Sequence, residues 1–388
     1  MYKTTWTFLV LAALGAPLAP ASAKEGIAVG SEGIQAEIAG GKVKLRLGGK
    51  LQIDALRVDD NAATSYTDVA ARRARLDFRV EFANLLTLRA EREFAGSKGW
   101  RNLYAALRPA EGLLIQGGQF NAPFSMEDMQ SSASIPFAER SLAASLTAEF
   151  GLGGQVGYSG RRFTARAGYF ENALNRPNGP AATQGRGVSA RLTLLPVDSK
   201  RTKLHLGLGA DRRSFRSTES IRYSAEAGST FGPRILRTPA LTGLANRRGY
   251  NAELALLSGP LMAQGQYIRQ DLNSITGGKI RLVGGYAQTG WVVTGQPYKY
   301  ARGSGVISGP DLERKSTALE LAARFSRLDA DNSSIDGGAA SSIDLSANLY
   351  FGKNVRLTAT GSRSHSRQLR ALPAVNTNVA LTRLQLVF

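Results

Sequence analysis

Arg73-Ala74-Arg75-Leu76-Asp77-Phe78-Arg79-Val80-Glu81-Phe82 exchanges a charged residue for an apolar one at every step. Successive side chains of a strand point to opposite faces, so this run has one face of Arg, Asp and Glu and one of Ala, Leu, Phe and Val. The stretch before it behaves alike. Val43, Leu45, Leu47, Leu51, Ile53 and Ala55 fall on one parity, and Lys42, Lys44, Arg46, Lys50, Gln52 and Asp54 on the other. A soluble sandwich alternates in the same way, so a single strand does not separate it from a membrane barrel.

Repetition separates them. Besides these two, at about 42–55 and 73–82, similar segments fall near 85–95, 100–108, 112–120, 153–160, 161–171, 186–196, 202–215, 248–258, 260–272, 284–296, 316–330, 341–351, 354–364 and 378–388, sixteen in all. Many reach ten residues, longer than the ~5–6 of soluble strands and close to the 9–11 that cross a bilayer. Tight turns, as at Phe82/Leu86 and Gly259/Pro260, alternate with long connections at 121–152, 216–247 and 297–315. That is the layout of outer-membrane barrels. The expected fold is all-β, a 16-stranded antiparallel transmembrane β-barrel over 42–388. Its polar parity, with Arg73, Arg75, Arg89, Arg166, Arg191 and Arg324, would face a lumen wide enough for water.

Composition agrees. The 388 residues hold 49 Lys and Arg against 30 Asp and Glu, a formal charge of +19 that calls for an anionic partner. Thirty-seven of the cations are Arg, whose planar fork suits oxyanions. There is no Cys and there are two His, which excludes disulfides and thiol chemistry and leaves little for a metal. Lys3, the apolar run Trp6 to Leu14 and Ala21-Ser22-Ala23 have the order of a secretory signal over 1–23. The run is too short for the ~20 residues of a spanning helix. Export argues against nucleic acid as the partner of the charge. Residues 24–41 are then expected to form a periplasmic segment.

Several motifs lie along this frame: Leu45-Arg46-Leu47-Gly48-Gly49-Lys50-Leu51-Gln52, Arg72-Arg73-Ala74-Arg75-Leu76-Asp77-Phe78, Gly118-Gln119-Phe120-Asn121-Ala122-Pro123-Phe124-Ser125-Met126-Glu127, Glu139-Arg140-Ser141-Leu142 and Leu319-Glu320-Leu321-Ala322-Ala323-Arg324-Phe325-Ser326. Their ordered set, from about Gly30 to Phe388, resembles the phosphate-selective porins of the O/P type, anion channels of Gram-negative outer membranes. The resemblance implies a homotrimer of 16-stranded barrels, each with a third loop, about Asn121 to Gly151, folded into the pore. It implies that Arg72 and Arg73 face the pore and that Arg140 belongs to the constriction loop. The final strand, ending in Phe388, resembles the signal read by the barrel-assembly machinery. Small phosphate-like anions and outer-membrane lipid are the other partners implied.

Departures from the family pattern shape the expectation. Met126-Glu127-Asp128 stands where members carry a central lysine, and Arg101 where they carry an acid. Arg75 and Asn121 occupy tyrosine positions, and the arginine ladder is thinned to Arg222. Arg72, Arg73, Arg75, Arg101 and Arg140 are therefore the candidate pathway residues, with Asn121, Glu127 and Asp128 on the constriction loop. The expected activity is passive diffusion of anions through an Arg/Lys-lined channel, without a tight orthophosphate site.

Other motifs carry less. Asp329-Ala330-Asp331 begins a calcium-like spacing but lacks the following Gly and closing Glu. Gly151 to Gly157 misses the dinucleotide spacing. Asp77, Glu91 and Glu93 read as salt-bridge partners for the wall arginines, and His205 as a lumen-facing side chain. No cofactor, metal or catalytic residue is expected. The rival readings are an outer-membrane barrel with an enzymatic role and a plugged barrel that anchors the envelope. Conductance separates both from a porin.

Overall fold

The computed structural model describes residues 26–30, 33–62, 65–96, 98–147, 150–174, 184–312, 316–331, 334–367 and 374–388, so the expected signal at 1–23 lies outside the described residues. Sixteen strands, from Val43–Asp60 to Val375–Val387, pair antiparallel in sequence order. The last pairs with the first, Val387 opposite Lys50 through Thr377 opposite Asp60, and closes the sheet. Closure removes the unpaired edges that a membrane would not tolerate. No described helix is long and apolar enough to cross a membrane.

The two parities are inside out relative to a soluble protein. Leu208, Leu254, Phe325 and Leu345 are exposed on the outer wall, while Arg213, Arg247, Arg356 and Arg383 are buried within. The first strand runs on to Asp60 and the second starts at Ser65, beyond the alternation read from sequence. There the inner face changes character. Leu56 and Val58 pack with Tyr223, Ala225, Leu236, Val379 and Leu381 in an apolar cluster, so apolar side chains replace charged ones on the inward parity. Arg162 lies exposed in the 160–162 connection, outside the strand Phe163–Asn172.

Within the expected segment 24–41, the strands Gly26–Gly30 and Gly33–Ile38 pair antiparallel, and the second pairs with Val43 to Leu47 and extends the sheet past the barrel. It lies at the end where the chain finishes and where the tight turns gather. The 293–316 connection also belongs to this end, because the strand Lys279–Val292 runs toward it. This corrects the grouping of 297–315 with the long loops of the opposite end. The connection folds as a second hairpin, Tyr298–Ala301 with Val306–Pro310. Arg191 donates to the Ser304 and Gly305 carbonyls at 2.8 and 2.7 Å, and Tyr298 donates to Glu320 at 2.6 Å.

After the fifth strand, Leu113–Asn121, the described residues 122–147 are bonded to inward side chains far around the barrel. Asn251 donates to the Phe124 carbonyl at 2.8 Å, Asn348 to Pro136 at 2.7 Å, Arg356 to Ile135 at 2.9 Å and Gln270 to Leu146 at 2.7 Å. These four carbonyls of the segment thus find donors on the wall.

Candidate functional site

A cavity of ≈ 890 Å³ inside the barrel is walled by eleven Arg and Lys against six Asp and Glu, so its lining is net positive. Arg72, Arg73, Arg75, Arg101 and Arg140 all reach it, together with Asn121, Asp128 and Phe388. Backbone geometry explains how two sequence neighbours do so. Gln52 pairs with Arg73 and Ile53 with Ala71, which leaves Arg72 as the extra residue of a bulge. A bulge re-aims a side chain that alternation would send outward.

Both guanidinium groups meet Glu139. Arg72 reaches it through Nε and Nη2 at 2.5 and 2.9 Å, Arg73 through Nη2 at 3.5 Å. Arg383 adds a contact at 3.0 Å while gripping Asp54 at 2.6 and 2.7 Å. Burial alone would raise the Glu139 pKa, but Arg72, Arg73 and Arg383 outweigh it and hold the carboxyl well below the usual range.

Most other wall cations are committed too. Arg75 binds Glu93 at 2.6 Å and Glu91 at 3.4 Å, and Arg89 holds Asp77 at 2.9 and 2.8 Å. These acids are the salt-bridge partners expected from sequence. Arg140 fastens the segment instead, donating to the carbonyls of Glu127, Asp128 and Gln130 at 2.9, 3.3 and 3.0 Å, with the Asp128 carboxylate 3.7 Å from its Nε. Asn121 donates to the Asp128 carbonyl at 2.7 Å. Glu127 is buried off the cavity, accepting from the Ser141 amide and hydroxyl at 2.8 and 2.6 Å. Arg101 stacks over the Phe150 ring, 5.3 Å from its centroid.

Two cavity cations are differently placed. Lys50 donates to the hydroxyls of Ser132 and Ser131 at 3.0 and 3.4 Å, and Arg166 donates to the Gly303 carbonyl at 2.5 Å. Among the described residues neither has a carboxylate at ion-pair distance. Both sit on the polar parity read from sequence, but local pattern does not bring Lys50 to Ser131 and Ser132, which lie far along the chain. Arg222 is exposed away from this wall, close enough to Arg237 to lower its pKa.

Phe388 completes the seam. Its amide donates to the Gly49 carbonyl at 3.1 Å, and its backbone oxygen accepts from the Gly49 amide at 2.8 Å. A Cβ on Gly49 would lie 2.5 Å from the Phe388 ring, so this position has room only for glycine. His205 contacts Glu253 at 3.1 Å and the Tyr300 hydroxyl at 2.7 Å. Glu253 also accepts from the Met126 amide at 2.9 Å. The cluster ties wall, inner hairpin and segment together.

A family model described as phosphate-selective porin O and P matches residues 45–388. Among solved structures, the fold is similar to OmpT, an outer membrane protein of Vibrio cholerae, at TM-score 0.56 and 12% identity over 89% of this chain and 98% of that one. It is similar to an anion-selective porin from Comamonas acidovorans at TM-score 0.56 and 16% identity, covering 89% and 100%. Pseudomonas putida OprB gives TM-score 0.57 and 10% identity over 89% and 94%. These likenesses are of fold. No curated protein matches the chain.

Proposed function

The chain belongs to the phosphate-selective porin O and P family, and from that premise we propose that it is an outer-membrane porin through which small anions diffuse passively. The observation that carries the anion reading is Lys50. Its ammonium lines the cavity beside Ser131 and Ser132, and among the described residues no carboxylate lies at ion-pair distance from it. Arg166 supplies a second such charge.

An anion sheds part of its hydration shell only where fixed donors replace the lost water, and it leaves only if that replacement is weak. Lys50 with two serine hydroxyls offers donors of this kind. Arg72, Arg73 and Arg75 are already bonded to Glu139, Glu91 and Glu93, so they contribute field more than free donors. A dianion needing several guanidinium forks finds few uncommitted, which supports general anion passage over tight phosphate binding.

The segment 122–147 acts as the inward-folded third loop, a reading supported by its bonds to the opposite wall. Phe388 serves as the assembly signal, residues 1–23 direct export, and three copies associate, as the trimer form solved for Vibrio cholerae OmpT encourages. The reversal potential in a salt gradient across a planar bilayer tests the reading. Anions should permeate better than cations, and a cation-selective or silent protein overturns it.

A further inference from the structure

The strands Thr202–Ser214 and Leu244–Ser258 set two arginine pairs beside each other: Arg213 faces Arg247, and Arg212 faces Arg248. The first pair points inward, and Asp211 lies between its members, 2.7 Å from Arg213 and 2.8 Å from Arg247. The second points outward and is exposed, and among the described residues it has no acidic partner. Like charges directly opposite on one face of a sheet are destabilising. Among the described residues no carboxylate bridges the outer pair as Asp211 bridges the inner one.

The row continues sideways. Arg248 faces Asp271 and Asp271 faces Arg281. Asp271 is shared by Arg281 at 3.0 Å and Arg269 at 2.6 Å. With strands ~4.8 Å apart, the band from Arg212 to Arg281 is about 15 Å wide. It lies near the strand ends remote from the termini.

Immediately beneath it, an apolar groove of ≈ 900 Å³ opens on the same outer wall. Ala167, Ala190 and Ala210 are register neighbours on three adjacent strands and line it, with Leu208 and Tyr250 alongside. Ala210 and Tyr250 face each other two residues from Arg212 and Arg248, so the groove starts where the arginines end.

We propose that this band and groove bind the phosphorylated headgroup and one acyl chain of a glycolipid in the outer leaflet. The groove alone would suit any hydrocarbon; charge complementarity selects the occupant. A phosphate between Arg212 and Arg248 supplies outside what Asp211 supplies inside, in charge-assisted hydrogen bonds. The width of the band suits a headgroup with more than one phosphate, as in an acylated disaccharide, over a phospholipid with a single phosphate.

Intact protein purified in detergent and titrated with bisphosphorylated lipid A or with phosphatidylglycerol, bound lipid being read by native mass spectrometry, tests this. Wild type should hold lipid A at least tenfold more tightly than phosphatidylglycerol. The double substitution Arg212→Gln with Arg248→Gln should remove that margin, and Ala190→Phe, which fills the groove, should weaken lipid A binding several-fold. Single-channel conductance should stay unchanged in both variants, since none of these residues lines the central cavity. Equal retention of the two lipids, or wild-type binding by the double variant, overturns the proposal. Wild type offered lipid A stripped of its phosphates needs no substitution, and undiminished binding there overturns it as well.

Discussion

Glu139 holds Arg72 in a two-point ion pair, 2.5 and 2.9 Å, across the gap between the segment that follows the fifth strand and the bulge in the second. Much of the positive charge that looks available in the sequence is therefore neutralised where it stands. Removing the carboxylate by Glu139→Gln should release Arg72 and Arg73 to the cavity and raise the anion preference measured by reversal potential. The pair is only part-buried, but losing the carboxylate leaves Arg72, Arg73 and Arg383 crowded without their shared counter-ion, so the temperature at which the folded form is lost on heating should fall.

The same carboxylate sets a pH expectation. A depressed pKa contributes stability above the unfolded value of ~4.3 and loses it as pH falls through the folded value. Glu139 is held well below the usual range, so it stays ionised through neutral and mildly acidic conditions. Selectivity of the wild type should be flat from about pH 5 to 8 so far as Glu139 governs it. A step there that vanishes in Glu139→Gln would contradict the assignment.

Lys50 and Arg166 make the opposite prediction. Lys50→Gln should lower anion preference, Lys50→Glu should lower it further, and adding Arg166→Gln should deepen either loss while the protein still assembles, because lumen substitutions tune selectivity. The effect should be largest at low salt, since charges farther apart than a Debye length of ~10 Å at 0.1 M are screened. Unchanged reversal potentials in the Lys50 variants would remove the residue from the pathway.

What the sequence made legible is what period and composition encode locally. Arg73 to Phe82 and its counterparts are alternating because one face meets lipid and the other water, so strand number, closure and the inward side of the arginines can be read directly. Leu56 and Val58 escape that logic, since their inner face packs against residues 221–241. The end to which 293–316 belongs depends on the direction of the strand before it, which length alone does not reveal. The partners of Arg72, Arg73 and Arg75 come from long-range geometry, so a list of wall cations could not distinguish those bonded to Glu139 or Glu93 from Lys50. The outward Arg212 and Arg248 differ by one step of register from the inward Arg213 and Arg247, a distinction with opposite consequences.

The inner hairpin gives a structural prediction. Ser304 lines the cavity and Gly303 holds Arg166, so replacing 299–309 with a short glycine linker should raise single-channel conductance. Tyr298→Phe is the milder change. It removes the 2.6 Å bond to Glu320 and leaves that carboxylate with Tyr350 at 2.6 Å and Asn348 at 3.0 Å. A buried hydrogen bond lost in this way costs ~1–3 kcal/mol, so thermal stability should drop while conductance stays near that of wild type. Equal conductance in the linker variant would mean that the hairpin does not narrow the path.

The seam joins the last strand to the first through Phe388 and Gly49. Deleting Phe388 removes a pair of backbone hydrogen bonds at 2.8 and 3.1 Å and the ring that fills the space above Gly49. Gly49→Val should damage the same contact from the other side, because a Cβ there would lie 2.5 Å from the ring and 2.9 Å from the Arg75 carbonyl. Both variants should be exported normally yet reach the outer membrane in lower yield, with less of the heat-modifiable folded form. Combining Gly49→Val with Phe388→Ala relieves the ring but leaves the Arg75 carbonyl, so recovery should be partial. If deletion of Phe388 lowers yield while Gly49→Val does not, the terminal aromatic acts through its recognition by the assembly machinery and its seat on Gly49 is incidental; wild-type yield in both would deny it either role.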